Sequence, residues 1–195
     1  IMAHTPEVEE LTKWGAAILC LGCEDVAAGA TGGKNSLYFG IDYSFWQVGP
    51  RFQGVKLIPP GVHYIYYGLG DGDSAACTRS GFFVNLKPRE VLVRKWDNEN
   101  EEFVCVSEDE AYRYSEGVRS YDFDNTMGPY PLEYRAKWEA LSQFISADVL
   151  DKIEPVGKQI KQHSAEYDPS KDESSLKAGL KAYAEAQKKE KLEEE

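Results

Sequence analysis

Residues 36–67 read SLYFGIDYSFWQVGPRFQGVKLIPPGVHYIYY. Aromatic and β-branched side chains fill this stretch and Gly and Pro divide it, so it predicts short strands joined by tight turns. Leu37, Phe39 and Ile41 alternate onto one face of a strand. Val55 to Ile58 form another, which stops at Pro59-Pro60-Gly61 because two successive prolines cannot donate to a ladder and Gly tolerates positive φ. Val62 to Tyr67 continue as a third.

Toward the amino terminus, Ala16 to Leu21 is a compact apolar run suited to a buried strand. Residues 1–12 read as a polar tail in which Glu7 to Leu11 begin a short helix. Toward the carboxyl terminus, Gly81 to Leu86 and Val91 to Trp96 read as two strands, and the short Lys87-Pro88-Arg89 connection predicts a hairpin between them. Phe103 to Val106 add another strand. No long helix separates these segments, so the sheet is expected to be mainly antiparallel.

Ser107 can cap a helix with Glu108, Asp109 and Glu110 in its first turn, reaching Tyr114 or beyond. Residues 127–131 read as a break, with Pro131 suited to a first helical turn. Tyr134, Trp138, Leu141 and Ile145 then make one apolar stripe of a second helix. A third, short helix starts at Ser146 and runs through Val149, Leu150 and Ile153 to Pro155. The expected fold is α+β, mainly β: an antiparallel β-sandwich or barrel-like domain over residues 13–155, with two or three covering helices near its carboxyl-terminal end. Residues 156–195 read as a polar linker and a weakly amphipathic helix, in which Leu176, Leu180 and Tyr183 bury too little to make a domain.

A chain of 195 residues with 42% hydrophobic content can bury one main core. Its formal charge of −11 argues against wrapping a phosphate backbone, since nucleic-acid affinity comes largely from Lys and Arg. From Asp97 to Asp124 there are ten acidic residues and two arginines. That concentration is either a solvated surface or an acidic docking surface. No apolar run approaches the roughly 18 residues that cross a bilayer, and the start lacks the regions of a signal peptide. A soluble intracellular protein, monomeric on its own, is expected. The ends, Ile1-Met2-Ala3 and Lys191 to Glu195, are those expected of a fragment.

The chemical constellations are weak. Cys20 and Cys23 have redox or metal spacing, but Cys20 lies inside an apolar run and neither Cys77 nor Cys105 supplies a second pair, so core thiols are expected. Residues 29–34, Gly-Ala-Thr-Gly-Gly-Lys, miss the phosphate-loop pattern at Ala28 and Asn35. Residues 71–74 offer oxygen ligands without a glutamate at calcium-site spacing and read as a hairpin tip. His4, His63 and His163 have no evident nucleophile, and His63 reads as a sheet residue. Asp42 alone among the carboxylates sits in an apolar, aromatic setting. It reads either as a perturbed acid or as a side chain that fixes the next turn by accepting from backbone N–H groups.

The run Tyr38-Phe39-Gly40-Ile41-Asp42-Tyr43, followed by Trp46 to His63, resembles the signature of the A1-alpha1-repressor family of splicing factors. Arg79 to Phe83, Gly128-Pro129-Tyr130-Pro131, Lys137-Trp138 and Phe144-Ile145-Ser146 are similar to later landmarks of that family in the same order. The signature positions carried over are Gly40, Ile41, Asp42, Trp46, Val48, Gly49, Pro50, Phe52, Gly54, Pro59, Pro60, Gly61, Gly81, Phe82, Phe83 and Trp138. The resemblance covers about residues 14–155. It implies a β-rich amino-terminal domain without catalytic activity, cofactor or metal, in a cytoplasmic and nuclear protein. It also implies a partner: the central protein of the U5 particle, pre-mRNA-processing factor eight, bound through its RNase-H-like and Jab1/MPN-like domains before the helicase joins. The loop before Tyr38 is longer than the family's, and the family's second, helical domain has no counterpart in residues 156–195. Two other readings stand beside this one: a small-molecule enzyme with a polar pocket at Asp42, and a purely structural support domain.

Overall fold

Alternation of side chains explains the layering seen in the computed structural model, which describes residues 5–24, 26, 36–70, 79–155 and 159–161. These all fall within one unit, residues 1–162. Helix α1, Pro6–Trp14, is capped by the Thr5 hydroxyl and leads into strand β1, Ala16–Leu21. Then come β2, Ser36–Ile41; β3, Ser44–Gln47; β4, Gly54–Ile58; and β5, Gly61–Gly70. Strands β6, Ser80–Leu86; β7, Val91–Asp97; and β8, Glu102–Cys105 precede helix α2, Glu108–Arg119. The short strand β9, Met127–Pro129, is followed by a 3₁₀ turn at Leu132–Tyr134 and by helices α3, Arg135–Ser142, and α4, Ala147–Ile153. A last short strand, β10, spans Ile160–Lys161.

Two five-stranded sheets result, ordered β8-β7-β1-β4-β9 and β10-β6-β5-β2-β3. Leu37, Phe39, Ile41, Ile65 and Tyr67 of the second sheet meet Ile18, Val55, Ile58, Trp96 and Phe103 of the first in one buried core. The fold is α+β, mainly β, and mostly antiparallel, as expected. β1 is buried on both faces because Ala17 and Leu19 point the other way, toward a smaller cluster with Val93, Met127 and the apolar side of α2. That two-sided burial is why it reads as an unbroken apolar run.

Four details depart from the sequence reading. Leu86 and Val91 are close in sequence but do not open a hairpin: β6 lies in the second sheet and β7 in the first, where β7 pairs parallel to β1 from Ala17 with Val91 to Leu21 with Lys95. The connection turns between layers, with Arg89 at φ +61° and its N–H donated to Trp14 O at 3.0 Å. The break at residues 127–131 contains β9, which pairs parallel with Gly54–Lys56. Proline is tolerated there because β9 is an edge strand. The stripe of the second helix is narrower than its spacing suggests: Trp138 and Ser142 are buried, Tyr134 belongs to the 3₁₀ turn, and Leu141 is exposed. Lastly, α1 is a covering helix at the amino-terminal end, with Leu11 buried against the first sheet near β4. The Ser107 capping box and the Ser146 cap form as read.

The outer face of the second sheet is covered by its own rings. Phe45, Tyr66 and Tyr64 stack in a row with centroids 5.2 and 5.5 Å apart, tilted by only 8° and 18°. Glycine makes this possible. A Cβ on Gly40 would stand 2.4 Å from the Tyr66 ring, and one on Gly81 would stand 2.6 Å from Tyr64 Oη. The Arg79 guanidinium lies over Phe45, 4.4 Å from its centroid.

Candidate functional site

Asp42 is the buried carboxylate of interest, and it opens the two-residue turn between β2 and β3 with φ +54°. Aspartate tolerates this left-handed conformation better than most residues. Its N–H donates to Tyr64 O at 2.9 Å, and its Oδ1 accepts from Tyr64 N at 3.0 Å. The side chain thus adds one rung to the β2/β5 ladder. Its Oδ2 lies 2.7 Å from His63 Nδ1 and accepts from Tyr130 Oη at 2.7 Å. His63 Nε2 lies 2.7 Å from Pro59 O. Both ring nitrogens therefore face oxygens that only accept, and both bonds are made when each nitrogen carries hydrogen.

Trp138 closes this cluster. Its Nε1 donates to Val62 O at 2.6 Å, and its ring lies nearly parallel to His63, at 17° and 6.5 Å. Burial, followed by the charge of Asp42, pushes the Tyr130 phenol far above its ordinary pKa, so it donates as a neutral group. The cluster ties three distant segments together: the β2–β3 turn, the start of β5, and the stretch from Tyr130 to Trp138 that follows β9 of the other sheet. The side chains of Asp42 and His63 are 1% and 3% exposed. The void beside His63 and Trp138 is about 30 Å³, the size of one water molecule. Asp42 accepts from a backbone N–H, but that group is Tyr64 N on β5 and not part of the turn after Asp42. The carboxylate therefore ties strands and side chains together, where the sequence reading expected it to fix the next turn. No substrate-sized polar pocket opens onto it among the described residues.

The other signature positions also serve the fold. Gly54, at φ +136°, lets β4 pass so close to β1 that a Cβ would stand 1.9 Å from Ile18 O. Ile41, Val48 and Phe82 are buried in the core, and Trp46 and Phe52 pack on Phe39. Gly49 accepts from Phe52 N at 3.0 Å across the turn that contains Pro50. Pro59 supplies the carbonyl facing His63, Pro60 is exposed at the turn, and Gly61 begins β5 at φ +137°. Phe83 packs on Tyr64 from the outer face.

Cys20 and Cys23 are both buried and free. Burial, with a hydrogen bond to Cys23, pushes the Cys20 thiol well above its ordinary range, the reverse of what a redox cysteine needs. Cys105 is exposed, and no metal-binding group of His, Cys, Asp and Glu exists among the described residues. Residues 29–34, residues 71–74, Cys77, His4 and His163 lie outside the described residues. No helix of the described residues is long and apolar enough to cross a membrane.

The acidic region from Asp97 to Asp124 is partly neutralised within the chain. Glu102 pairs with Lys161, Glu116 with Arg119, and Asp124 with Lys56. Glu110 is held in the capping box and Asp97 in the turn that follows it. Tyr130 was missed as a site residue, since nothing in its local setting between two prolines signals a partner 88 positions away.

Comparison with known proteins bears on the same residues. The family model for the AAR2 N-terminal domain matches residues 30–155. Protein AAR2 homolog of Mus musculus is 40% identical over 124 residues, which is 63% of this chain and 32% of that protein. Its counterpart in Caenorhabditis elegans is 41% identical over 159 residues, 79% of this chain and 39% of that protein. The Homo sapiens protein is 37% identical over 124 residues. The chain therefore spans between about a third and two-fifths of the length of these curated relatives. With more than half its length matched by the family model, the chain belongs to the AAR2 family, through that family's N-terminal domain.

Proposed function

We propose that this domain is a protein-binding module of a pre-mRNA splicing factor, without catalytic activity of its own. It acts in assembly of the U5 particle, holding the central U5 protein, pre-mRNA-processing factor eight, before the helicase joins. The contacts are with the RNase-H-like and Jab1/MPN-like domains of that protein, and the setting is the cytoplasm and nucleus. The observation that carries the reading is family membership over residues 30–155, joined to a signature that closes the fold. With every oxygen of Asp42 engaged and only about 30 Å³ beside His63, the work of the domain falls to its surface.

The test is calorimetric titration of the 195-residue chain with each of the two U5 domains, at low and moderate salt. Micromolar or tighter binding is expected. A full-length relative that fails to retain the U5 protein would overturn the reading. Binding by that relative but not by this chain would place recognition in the part of the relatives that this chain does not match.

A further inference from the structure

The outer face of the first sheet is incompletely roofed. Helix α1 lies over β4 and α2 over β7, and between them runs a groove of about 760 Å³. Its floor is apolar, formed by Ala17, Leu57, Val91 and Met127. Val8, Leu11 and Trp14 make one wall, and Val118 with Tyr121 make the other. Trp14 is 56% exposed and Tyr121 68% exposed, so large rings stand in solvent on both sides of the trough. An apolar trough rimmed by aromatic groups is the composition of a protein-binding hot spot.

The charge of the rim runs against that of the chain. Lys13, Lys56, Arg89 and Arg119 line the groove with one carboxylate, Asp124, in a protein of formal charge −11. Asp124 pairs with Lys56, and Glu116 pairs with Arg119 from outside the groove. The ends of α1 and α2 each contribute about half a negative charge. The rim remains positive after all of these are counted. Lys13 and Arg89 are exposed, and the bond from Arg89 N to Trp14 O holds them at the same end of the groove. An anionic occupant fits this field.

Backbone chemistry narrows the form of that occupant. A segment in the groove lies over the face of the sheet, where β1 is already paired with β7 on one side and β4 on the other, so it cannot join the floor as a strand. It must satisfy its own N–H and C=O groups, which a helix does. We infer that the groove between α1 and α2 docks an acidic amphipathic helix of a partner protein. Its aliphatic face lies on the part-exposed Leu57 and Val91 and on the exposed Trp14, and its carboxylates face Lys13 and Arg89. The inference rests on the reading of the domain as a protein-binding module and adds the chemistry of one segment that the module recognises.

The probe is a synthetic, end-blocked peptide of about fourteen residues, long enough to form a helix when bound. It carries leucine at positions i, i+3, i+4 and i+7 and glutamate elsewhere. Its control has lysine at every glutamate position. Binding to the whole chain is read by fluorescence anisotropy. The glutamate peptide is expected to bind at least about tenfold more tightly than the lysine peptide, with an affinity that falls as salt rises. Lys13→Glu combined with Arg89→Glu removes that preference while the chain stays folded, with only a small drop in the thermal melt from the carboxylate placed in the last turn of α1. Trp14→Ser, on the opposite side of the rim from Tyr121, weakens the glutamate peptide by about tenfold. Equal binding of the two peptides, or an unaltered preference in the charge-reversed chain, overturns the proposal. So does self-association of the wild-type chain that the charge reversal abolishes, because the occupant is then a second copy. Titrating the charge-reversed chain with the two U5 domains separates the levels. Wild-type U5 binding by that variant sinks the groove alone, and absence of U5 binding by the full-length relative sinks the functional reading whatever the peptide does.

Discussion

The outer face of the first sheet is covered by α1 and α2, whereas the second sheet lays its own rings flat across Gly40 and Gly81. Both devices keep a buried layer dry, but they leave different surfaces. Two helices on a sheet leave a trough wherever they do not touch, and here that trough holds the rim cations. Stacked rings leave a flatter plate, and the glycines beneath them give the rings room to lie close to the backbone. The covering device of each sheet therefore determines what that side of the domain can bind.

Substitutions can break or sharpen this contrast. The largest effect is expected at Gly54→Ala, in the first sheet. The new Cβ meets backbone at Ile18 O, which cannot swing aside, and φ +136° is strained for any side chain. A loss of about 4 kcal/mol, or failure to fold, should appear in urea unfolding. A cost no greater than that at Gly40 would show that the two sheets are equally forgiving.

Asp42→Ala belongs to neither covering device and tests the tie between the sheets. It leaves His63 Nδ1, Tyr130 Oη and Tyr64 N without their acceptor, and about 3 kcal/mol should be lost in the same assay. Gly40→Ala should cost less, about 2 kcal/mol, because the Tyr66 ring can rotate away from the new methyl group. Near-ultraviolet circular dichroism should report the lost stack. In a Tyr66→Leu background the same change should be nearly neutral, and a full cost there would show that the ring is not what fills the space.

The smallest effect comes from alkali. Burial raises the pKa of Tyr64 and Tyr66, on the outer face of β5, and pushes Tyr67, which faces the core from the same strand, up to about 12. Groups with a raised folded pKa stabilise fully below the unfolded value, and that contribution is lost as pH rises past it. Between about pH 10 and 11, starting at the ordinary tyrosine pKa, amide exchange should rise in β5 and β6 before it rises in β1 and β4. Uniform exchange across both sheets would count against a separate weakness of the ring-covered side.

Much of this was legible because strands announce themselves locally. Leu37, Phe39 and Ile41 alternate into the core, Ser107 caps α2, and Asp42 stood out as a carboxylate among apolar neighbours. What escaped depends on which strand lies beside which. Lys87-Pro88-Arg89 has hairpin length, and its residues carry no sign that Glu90 leads into the other layer, where Ala17 donates to its carbonyl at 2.9 Å. Met127–Pro129 carries a proline that argues against a strand, and only the free edge of β4 makes it one. The spacing of Tyr134, Leu141 and Ile145 was real, but Trp138 alone among those four reaches the polar cluster. Tyr130 and the cations of the groove are joined to their neighbours through the tertiary fold, where periodicity has no reach.

The parallel pairing of β1 with β7 also has a consequence for the nascent chain. β1 leaves the ribosome first among the strands, yet the neighbour that covers its far edge emerges roughly seventy residues later. At cellular synthesis rates that is a delay of roughly 4 to 14 seconds. Throughout it the apolar run Ala16–Leu21 has an open edge, because the earlier approach of β4 covers only the opposite one. A chaperone that engages short apolar strands would find its substrate here, and truncation before Val91 would leave that edge open for good.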